Sequence, residues 1–436
     1  MYSRISRRDY KRFNLQISKF YLYLLSFFII FITDALVFEI NSNHAATAFK
    51  RYSVIAVAFF MVFHHVVVQR KKITIHLLLL TAFPLCSSWL AGYLLNGFYY
   101  YSFIACIWIA ILFADRYSLE DFAEVFCLIM RFVCIISVIC FLFRNTLVNA
   151  TIFPIVTSTK GNAYRWLGVI SIPLKISQRS RNFGPFWEPG TYQIYTNMAL
   201  FFSLFVLKKN KKAIDALIFT LTGFTTLSGS LLIPMLLIYA AFALDNRNIK
   251  TFVGIVIIAA LFAIFVYAGY FDNTFAKMAG IDSHNSLLHR WIGLEGGIRG
   301  FIHNPIFGSS PQYNDSVREQ LAWKYLSDSY ASSSNTLANI FGYFGIYVGG
   351  YILFSSYKMF NSIGKNKLIT ILLFLAFVIS TSNENLTTST FFMTFCMLRS
   401  GVGILNSEDN EEIEDFHEQN KSEALEDGNA ILLMED

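Results

Sequence analysis

Charge is the scarcest commodity in this sequence: Asp, Glu, Lys and Arg make up 15% of 436 residues, against about a quarter in a soluble globular domain. With 55% hydrophobic residues, 45 Phe and a mean hydropathy of +0.48, that deficit excludes an ordinary soluble enzyme and reads as a polytopic membrane protein. Cysteine is also sparse, and all six (Cys86, Cys106, Cys127, Cys134, Cys140 and Cys396) lie inside apolar runs. None has metal-ligand spacing, so neither a disulfide framework nor thiol chemistry is expected, and Cys127, Cys134 and Cys140 read as small packing residues. The first apolar run lacks a small-residue cleavage site, which favours a retained first span over a cleaved signal peptide. No internal repeat is visible.

The net charge of +6 hides a division. Residues 407–436 hold twelve acids and one Lys, leaving a net +17 on the remainder. That excess falls in short clusters between apolar runs, where it sets topology and meets anionic headgroups. Nucleic acid is not an expected partner, because the basic residues do not gather on one soluble face.

A span needs about 20 apolar residues, fewer where the bilayer is thin. The basic N-terminus, residues 1–16, stays in the cytoplasm on this reading, and residues 17–143 hold spans one to five. The stretch from Asp115 to Glu124 reads as an inner linker before a fifth span at Phe126–Phe143. Residues 144–189 form a first outer insert and residues 190–271 hold spans six to nine. Residues 272–335 form a second outer insert, residues 336–404 hold spans ten to twelve, and the acidic tail 405–436 reads as disordered. The predicted fold is therefore all-α, with about twelve membrane helices and both termini inside. Lys71, the lysines at 208–212, Arg247, Lys365 and Lys367 all fall on the inner side, as the alternation requires. Spans seven and eight (Ala213–Leu227, Leu231–Leu244) and eleven and twelve (Ile369–Ser380, Phe391–Ile404) are short.

A transporter of two six-span halves concentrates its chemistry in mid-membrane charges. Here polar character sits in the two outer inserts instead, which suits a reaction on a lipid-borne substrate at the outer leaflet. In the first insert, Arg179, Arg181, Gly184, Trp187, Glu188 and Pro189 are the informative positions. An arginine fork matches phosphate oxygens. Gly184 permits close approach of backbone to a ligand. Glu188, beside a helix start at Pro189, either caps that helix or accepts a proton from an attacking hydroxyl. A structural Arg181–Glu188 pair is the plainer reading of the same residues.

In the second insert, Leu288, Trp291, Ile292, Leu294 and Ile298 fit an amphipathic helix lying on the leaflet, ended by Asn304-Pro305. Arg290 and Arg299 are nine residues apart, which puts them on opposite sides of an unbroken helix. Arg290 also reads as a headgroup anchor. His284, His289 and His303 lack tight metal-ligand spacing, so no metal is expected.

The run Arg181-Asn182-Phe183-Gly184-Pro185-Phe186-Trp187-Glu188-Pro189 resembles the Arg-x-x-Gly-x-x-x-Glu-Pro signature of bacterial O-antigen and capsule polymerases of the Wzy type. Arg290-Trp291 followed by Asn304-Pro305-Ile306-Phe307-Gly308 is similar to a block of the wider O-antigen ligase and polymerase superfamily. Ser334-Asn335-Thr336-Leu337 and Gly342-Tyr343-Phe344-Gly345 resemble the segment that follows it. The related ligases often carry His-Asn where this chain has Ser334-Asn335, which favours polymerase over ligase and leaves Glu188 as the first choice of base.

The resemblance implies an inverting, metal-independent glycosyltransferase with a GT-C-like membrane fold and no cofactor. Its donor and acceptor would be glycans on undecaprenyl diphosphate, polymerised into O-antigen, capsular or exopolysaccharide at the outer leaflet of the bacterial cytoplasmic membrane. Arg181, Glu188 and Arg290 are the expected catalytic residues, and Arg179, Gly184, Trp187, Arg299, His303 and Asn335 the expected substrate contacts. Trp187, Tyr192 and Trp291 would stack on sugar rings, although a place in the aromatic belt at the membrane interface is the plainer reading of each. A chain-length regulator and a flippase of the same pathway are the implied protein partners. An O-antigen ligase acting on lipid A core, or a polysaccharide flippase or transporter, is the alternative.

Overall fold

The computed structural model describes residues 7–31, 44–90, 98–157, 162–207, 212–228, 232–246, 263, 267, 286–326 and 334–399. The expected ninth span, His284, the lysines at 208–211 and the acidic tail lie outside them. The described residues are mostly helical, in keeping with the all-α class. Among the described residues, three helical stretches are long and apolar enough to cross a membrane by themselves: Arg51–Val68, Leu119–Leu142 and Thr336–Ile363. Five shorter apolar helices accompany them.

The helices are α1 (Arg7–Phe31), α2 (His44–Phe63), α3 (Ile75–Leu90), α4 (Phe98–Ala114) and α5 (Leu119–Leu142), then a single turn α6 (Arg144–Leu147). Helix α5 begins earlier than the sequence suggested. Ser118 and Asp121 form a reciprocal capping box, so the acids of the expected linker belong to the first turns of the spanning helix. A three-stranded antiparallel meander follows: β1 (Ile155–Thr157), β2 (Ala163–Trp166) and β3 (Ser171–Pro173). It lies in the first insert and is a departure from a purely helical chain.

Next come α7 (Pro189–Phe201), α8 (Lys212–Thr225) and α9 (Leu232–Asp245). A two-pronged ion pair joins α5 to α8, with Arg131 Nε and Nη2 donating to the Asp215 carboxylate at 2.7 and 2.8 Å. The second insert supplies α10 (Ser286–His303) and α11 (Pro311–Leu326), and the chain then enters α12 (Thr336–Ile363), α13 (Lys367–Thr381) and α14 (Thr390–Met397). Lys71 pairs with Asp115 and Lys365 with Asp245, each joining loops that the alternation puts on one side.

Two hairpins are too short to cross. Helix α8 has 14 residues, α13 has 15 and α14 only 8. At 1.5 Å per residue they rise about 21, 22 and 12 Å, against roughly 30 Å of hydrocarbon. The expected twelfth span at Phe391–Ile404 is thus corrected to a half-length helix ending at Met397. All eight of its residues are buried. Phe391 stacks on Phe126 of α5 and Tyr195 of α7, and Phe392 on Phe377 of α13.

Helix α10 contains Gly293, Gly296, Gly297 and Gly300, which form its contact face rather than weak points. A Cβ at Gly293 would strike the Ser334 carbonyl, one at Gly297 would come within 2.6 Å of Ala338, and one at Gly300 would strike the Asn314 amide. Backbone thus meets backbone along α10 and α12. Ile292 turns into a small core with Val317, Leu321 and Ala322 of α11, while Trp291 and Ile298 remain exposed. The expected flat amphipathic helix is corrected accordingly: its apolar residues divide between α11 and the surface.

Helix α10 ends at His303, before Asn304-Pro305 as expected. The following turn docks into a break in α12, where Gly345 has φ 75° and ψ −170°. The Ile346 amide donates to the Pro305 carbonyl at 2.8 Å and the Ser309 amide to that of Gly342 at 2.7 Å. A Cβ at Gly345 would collide with the Ile306 carbonyl. Gly345→Ala combines a left-handed φ with that overlap and is expected to destabilise by at least ~2 kcal/mol. Gly350, five residues on, has nothing within 4 Å of such a Cβ, and Gly350→Ala is expected to be neutral or to stabilise by up to ~1 kcal/mol. Thermal unfolding of the two purified variants in detergent checks both.

Candidate functional site

The first insert is fixed onto the bundle by one asparagine. The Asn182 amide nitrogen donates to Ser137 Oγ of α5 at 3.2 Å and to Thr225 Oγ1 of α8 at 2.9 Å. Its amide oxygen accepts from the Gly184 N–H at 3.0 Å, and its own N–H donates to the Thr225 carbonyl at 2.9 Å. Ser171 of β3 donates from Oγ to the carbonyls of Gly184 and Phe186, and Tyr164 of β2 donates to that of Trp187 at 2.9 Å. The sheet is thus a clamp that holds residues 182–188 against α5 and α8.

Arg181 follows from that placement. It is partly buried, and its Nε donates at 3.1 Å to the Thr226 carbonyl in the turn after α8. Burial pushes the guanidinium below its ordinary value, the charges of Glu188 and then Glu384 hold it up, and Arg290 adds to the downward push. Arg290 on α10 is likewise lowered by burial and supported by Glu384 first and Glu188 second. Four charges from three parts of the chain therefore act within reach of one another: Arg181 and Glu188 from the first insert, Arg290 from the second, and Glu384 from the turn after α13.

Glu188 sits at the N-cap of α7 with Pro189 at the first helical position, yet its side chain makes no capping bond. Capping is thereby removed as its role. Its charge also reaches Tyr164, whose phenol is pushed up to about 12, chiefly by burial and then by Glu188.

Glu384 is the residue that sequence reasoning missed. It is 8% exposed, in a turn pinned by Thr336, whose Oγ1 donates to the Glu384 carbonyl at 2.7 Å and accepts from the Leu386 amide at 2.9 Å. A signal was present, since Glu384 is the only acid between Asn335 and Ser407.

The remaining expected contacts are placed elsewhere. Gly184 has φ 54°, and a Cβ there would lie 2.6 Å from the Tyr192 ring, so the close approach it permits is to protein, not ligand. Tyr192 is fully buried, with its hydroxyl 2.6 Å from Ser137 Oγ, and is no sugar platform. Trp187 is half-buried beside Tyr164 and Phe183. Arg179 donates to the carbonyls of Pro173 and Leu174.

Arg299 is exposed and paired with Glu295 at 2.6 Å. It lies nine residues beyond Arg290 in the continuous helix α10, about 13 Å along the axis and on its opposite side. His303, about 20 Å along the same helix, stacks on Tyr313 with its Nδ1 3.2 Å from Ser309 Oγ. Asn335 has φ 87° and caps α12, its Oδ1 accepting from the Ala338 amide at 3.0 Å. Arg299, His303 and Asn335 are thus engaged with protein groups, Asn335 immediately before Thr336, which holds the Glu384 turn.

No known protein family, curated protein or solved structure matches the chain.

Chemically, the site offers two partly buried guanidinium groups for developing negative charge and two carboxylates for a proton. Asn182, 3% exposed, is what brings Arg181 there. Asn182→Ala leaves several buried partners unsatisfied and is expected to destabilise by roughly 2–4 kcal/mol. Denaturation of the purified variant in detergent should show that loss, together with increased proteolysis of the 144–189 insert.

Proposed function

We propose that this protein polymerises undecaprenyl-diphosphate-linked oligosaccharide repeats at the outer leaflet of a bacterial cytoplasmic membrane, yielding O-antigen or capsular polysaccharide. The reading is carried by Arg181 and Arg290, drawn from two inserts far apart in sequence, each standing within reach of the charges of both Glu188 and Glu384. On this proposal the chain has about twelve membrane segments in a GT-C-like arrangement, with both termini in the cytoplasm. The pairs Lys71–Asp115 and Lys365–Asp245 support its sidedness. The short α8–α9 and α13–α14 hairpins are its shallow members.

In the proposed reaction the acceptor hydroxyl attacks the donor's anomeric carbon from the face opposite the diphosphate. The carbon–oxygen bond to the diphosphate breaks, and its electron pair leaves with the lipid carrier. Charge grows on the diphosphate oxygens as that bond lengthens. Arg181 and Arg290, already held in a poorly solvated place, stabilise it without reorganising. Glu188 takes the hydroxyl proton. Glu384, whose field is the stronger on Arg290, keeps that guanidinium turned towards the site.

The test is polymer length on a gel from a strain lacking this protein, complemented with variants checked for membrane abundance. Arg181→Ala and Arg290→Ala are expected to leave single-repeat product, and Glu188→Gln and Glu384→Gln to cut long chains by at least ~100-fold, the usual scale for a lost acid–base or electrostatic group. Arg299→Ala, His303→Ala and Lys211→Ala are expected to keep full-length polymer. Long chains in both Arg181→Ala and Arg290→Ala would sink the site. Loss of all surface glycan on deletion, rather than single repeats, would point to a ligase or flippase instead.

A further inference from the structure

The end of the bundle where α5 begins, away from the charged site, carries cations that nothing described so far uses. Arg70, Lys71 and Lys72 lie between α2 and α3 in a turn where Arg70 has φ 53°, and all three are exposed. Lys71 pairs at 2.7 Å with Asp115, three residues before the N-cap of α5. The Leu119 amide donates to the Arg399 carbonyl at 2.9 Å, which puts the last described residue beside that cap. Phe360 of α12 lies 5.8 Å from Phe395 of α14, ring centre to ring centre. The junction of α12 and α13, with exposed Lys365 and Lys367, therefore borders the same end.

The acids of this end are already engaged. Asp115 and Asp245 neutralise Lys71 and Lys365, and Asp121 closes the capping box of α5. Glu120 and Glu124 are half-buried on the same helix. Arg70, Lys72, Lys367 and Arg399 remain, all exposed and none in an ion pair among the described residues. Cations left uncompensated on one face draw in negative groups over about a Debye length, roughly 10 Å at 0.1 M salt.

The chain supplies the complement itself. Residues 407–436 set twelve acids against one Lys, a net −11. Ser407 stands eight residues beyond Arg399, at most about 29 Å of extended chain. The acids are thus tethered close to the cations, at an effective concentration on the order of a millimolar for so short a link. Anionic headgroups are the competing source of negative charge, and each has to be recruited from the leaflet. The tethered segment is always at hand.

We propose that residues 407–436 dock on this end of their own chain, with Arg70, Lys72, Lys367 and Arg399 as the receiving cations, and keep anionic lipid headgroups from binding there. The segment is then an internal counter-ion for the end of the bundle away from the charged site. Neither the docking nor its test rests on glycan transfer.

The test uses the full chain and a variant ending at Asn406, both purified into phosphatidylcholine nanodiscs, with a fluorescent peptide of residues 407–436 as the probe. At about 50 mM salt the shortened protein is expected to bind the peptide saturably, with at least a tenfold loss of affinity at about 0.5 M. A tenfold loss is also expected in the shortened protein carrying Arg70→Gln, Lys72→Gln, Lys367→Gln and Arg399→Gln. Arg299→Gln, which removes an exposed cation of the second insert, should change nothing. The full chain, its face already occupied, should bind the peptide at least tenfold more weakly than the shortened one. Carbodiimide coupling of the full chain should join carboxylates of residues 407–436 to Lys72 or Lys367 within one molecule, a readout that needs no substitution. Equal peptide binding by the two chains, no effect of the four substitutions, or coupling only between molecules would each overturn the proposal. So would loss of all peptide binding once phosphatidylglycerol is added to the nanodiscs, which would make lipid headgroups the occupant.

Discussion

A guanidinium taken out of water must be given acceptors and counter-charge, and Arg181 finds them in parts of the chain that are otherwise unrelated. A carbonyl comes from the turn after α8, one carboxylate from its own insert and another from the turn after α13. Each supplier has to be in place before the arginine can be tolerated there. This demand explains why the meander clamps residues 182–188, why Asn182 is bonded to both α5 and α8, and why Thr336 grips the Glu384 turn at two points. The same partners that make burial tolerable leave the charge poised and poorly solvated, the condition under which it acts most strongly on a developing anion.

The second insert meets that demand with a different device. Helix α10 presents glycines to α12, so Arg290 is carried on a helix whose backbone lies directly against its neighbour. Close contact leaves little room for the helix to rock. At the far end, the turn after α10 is bonded into the break at Gly345. Arg318 of α11, 1% exposed, reaches Asp315, Asn339 and Tyr343 and ties the third side. Helix α10 is thus held along its length by α12 and at its C-terminal end by the break at Gly345.

Much of the site was legible because its residues are conspicuous where they stand. Arginine and glutamate in glycine-containing inserts between apolar runs are poor lipid-facing material, so Arg181, Glu188 and Arg290 stood out. Helix geometry alone separated Arg299 from Arg290. Gly184 did not yield its meaning, because a glycine looks the same whether a ligand or the Tyr192 ring fills the space beside it. Asn335 was ambiguous for a similar reason, since an amide suited to a substrate is equally suited to a helix cap. Glu384 was hidden by the assumption that α13 and α14 cross fully, which placed it on an exposed connection. Hydropathy reports how apolar a segment is, and it says little about how far a short helix reaches. The meander escaped because its strands are three or four residues long, below the length at which alternation can be read.

Helices of 14 and 15 residues beside one of 24 have a consequence for the bilayer itself. By helix length alone the short hairpins fall roughly 8 Å short of the hydrocarbon thickness, and lipid responds to such mismatch by thinning. In the orientation proposed above, the outer leaflet would therefore dip towards the charged site and lower nearby headgroups with it. A substrate anchored by its lipid tail would then meet the arginines without being lifted from the membrane. The shortness of two hairpins would shape the surrounding membrane as well as the protein, and would tie the protein's working position to bilayers thin enough to follow that contour.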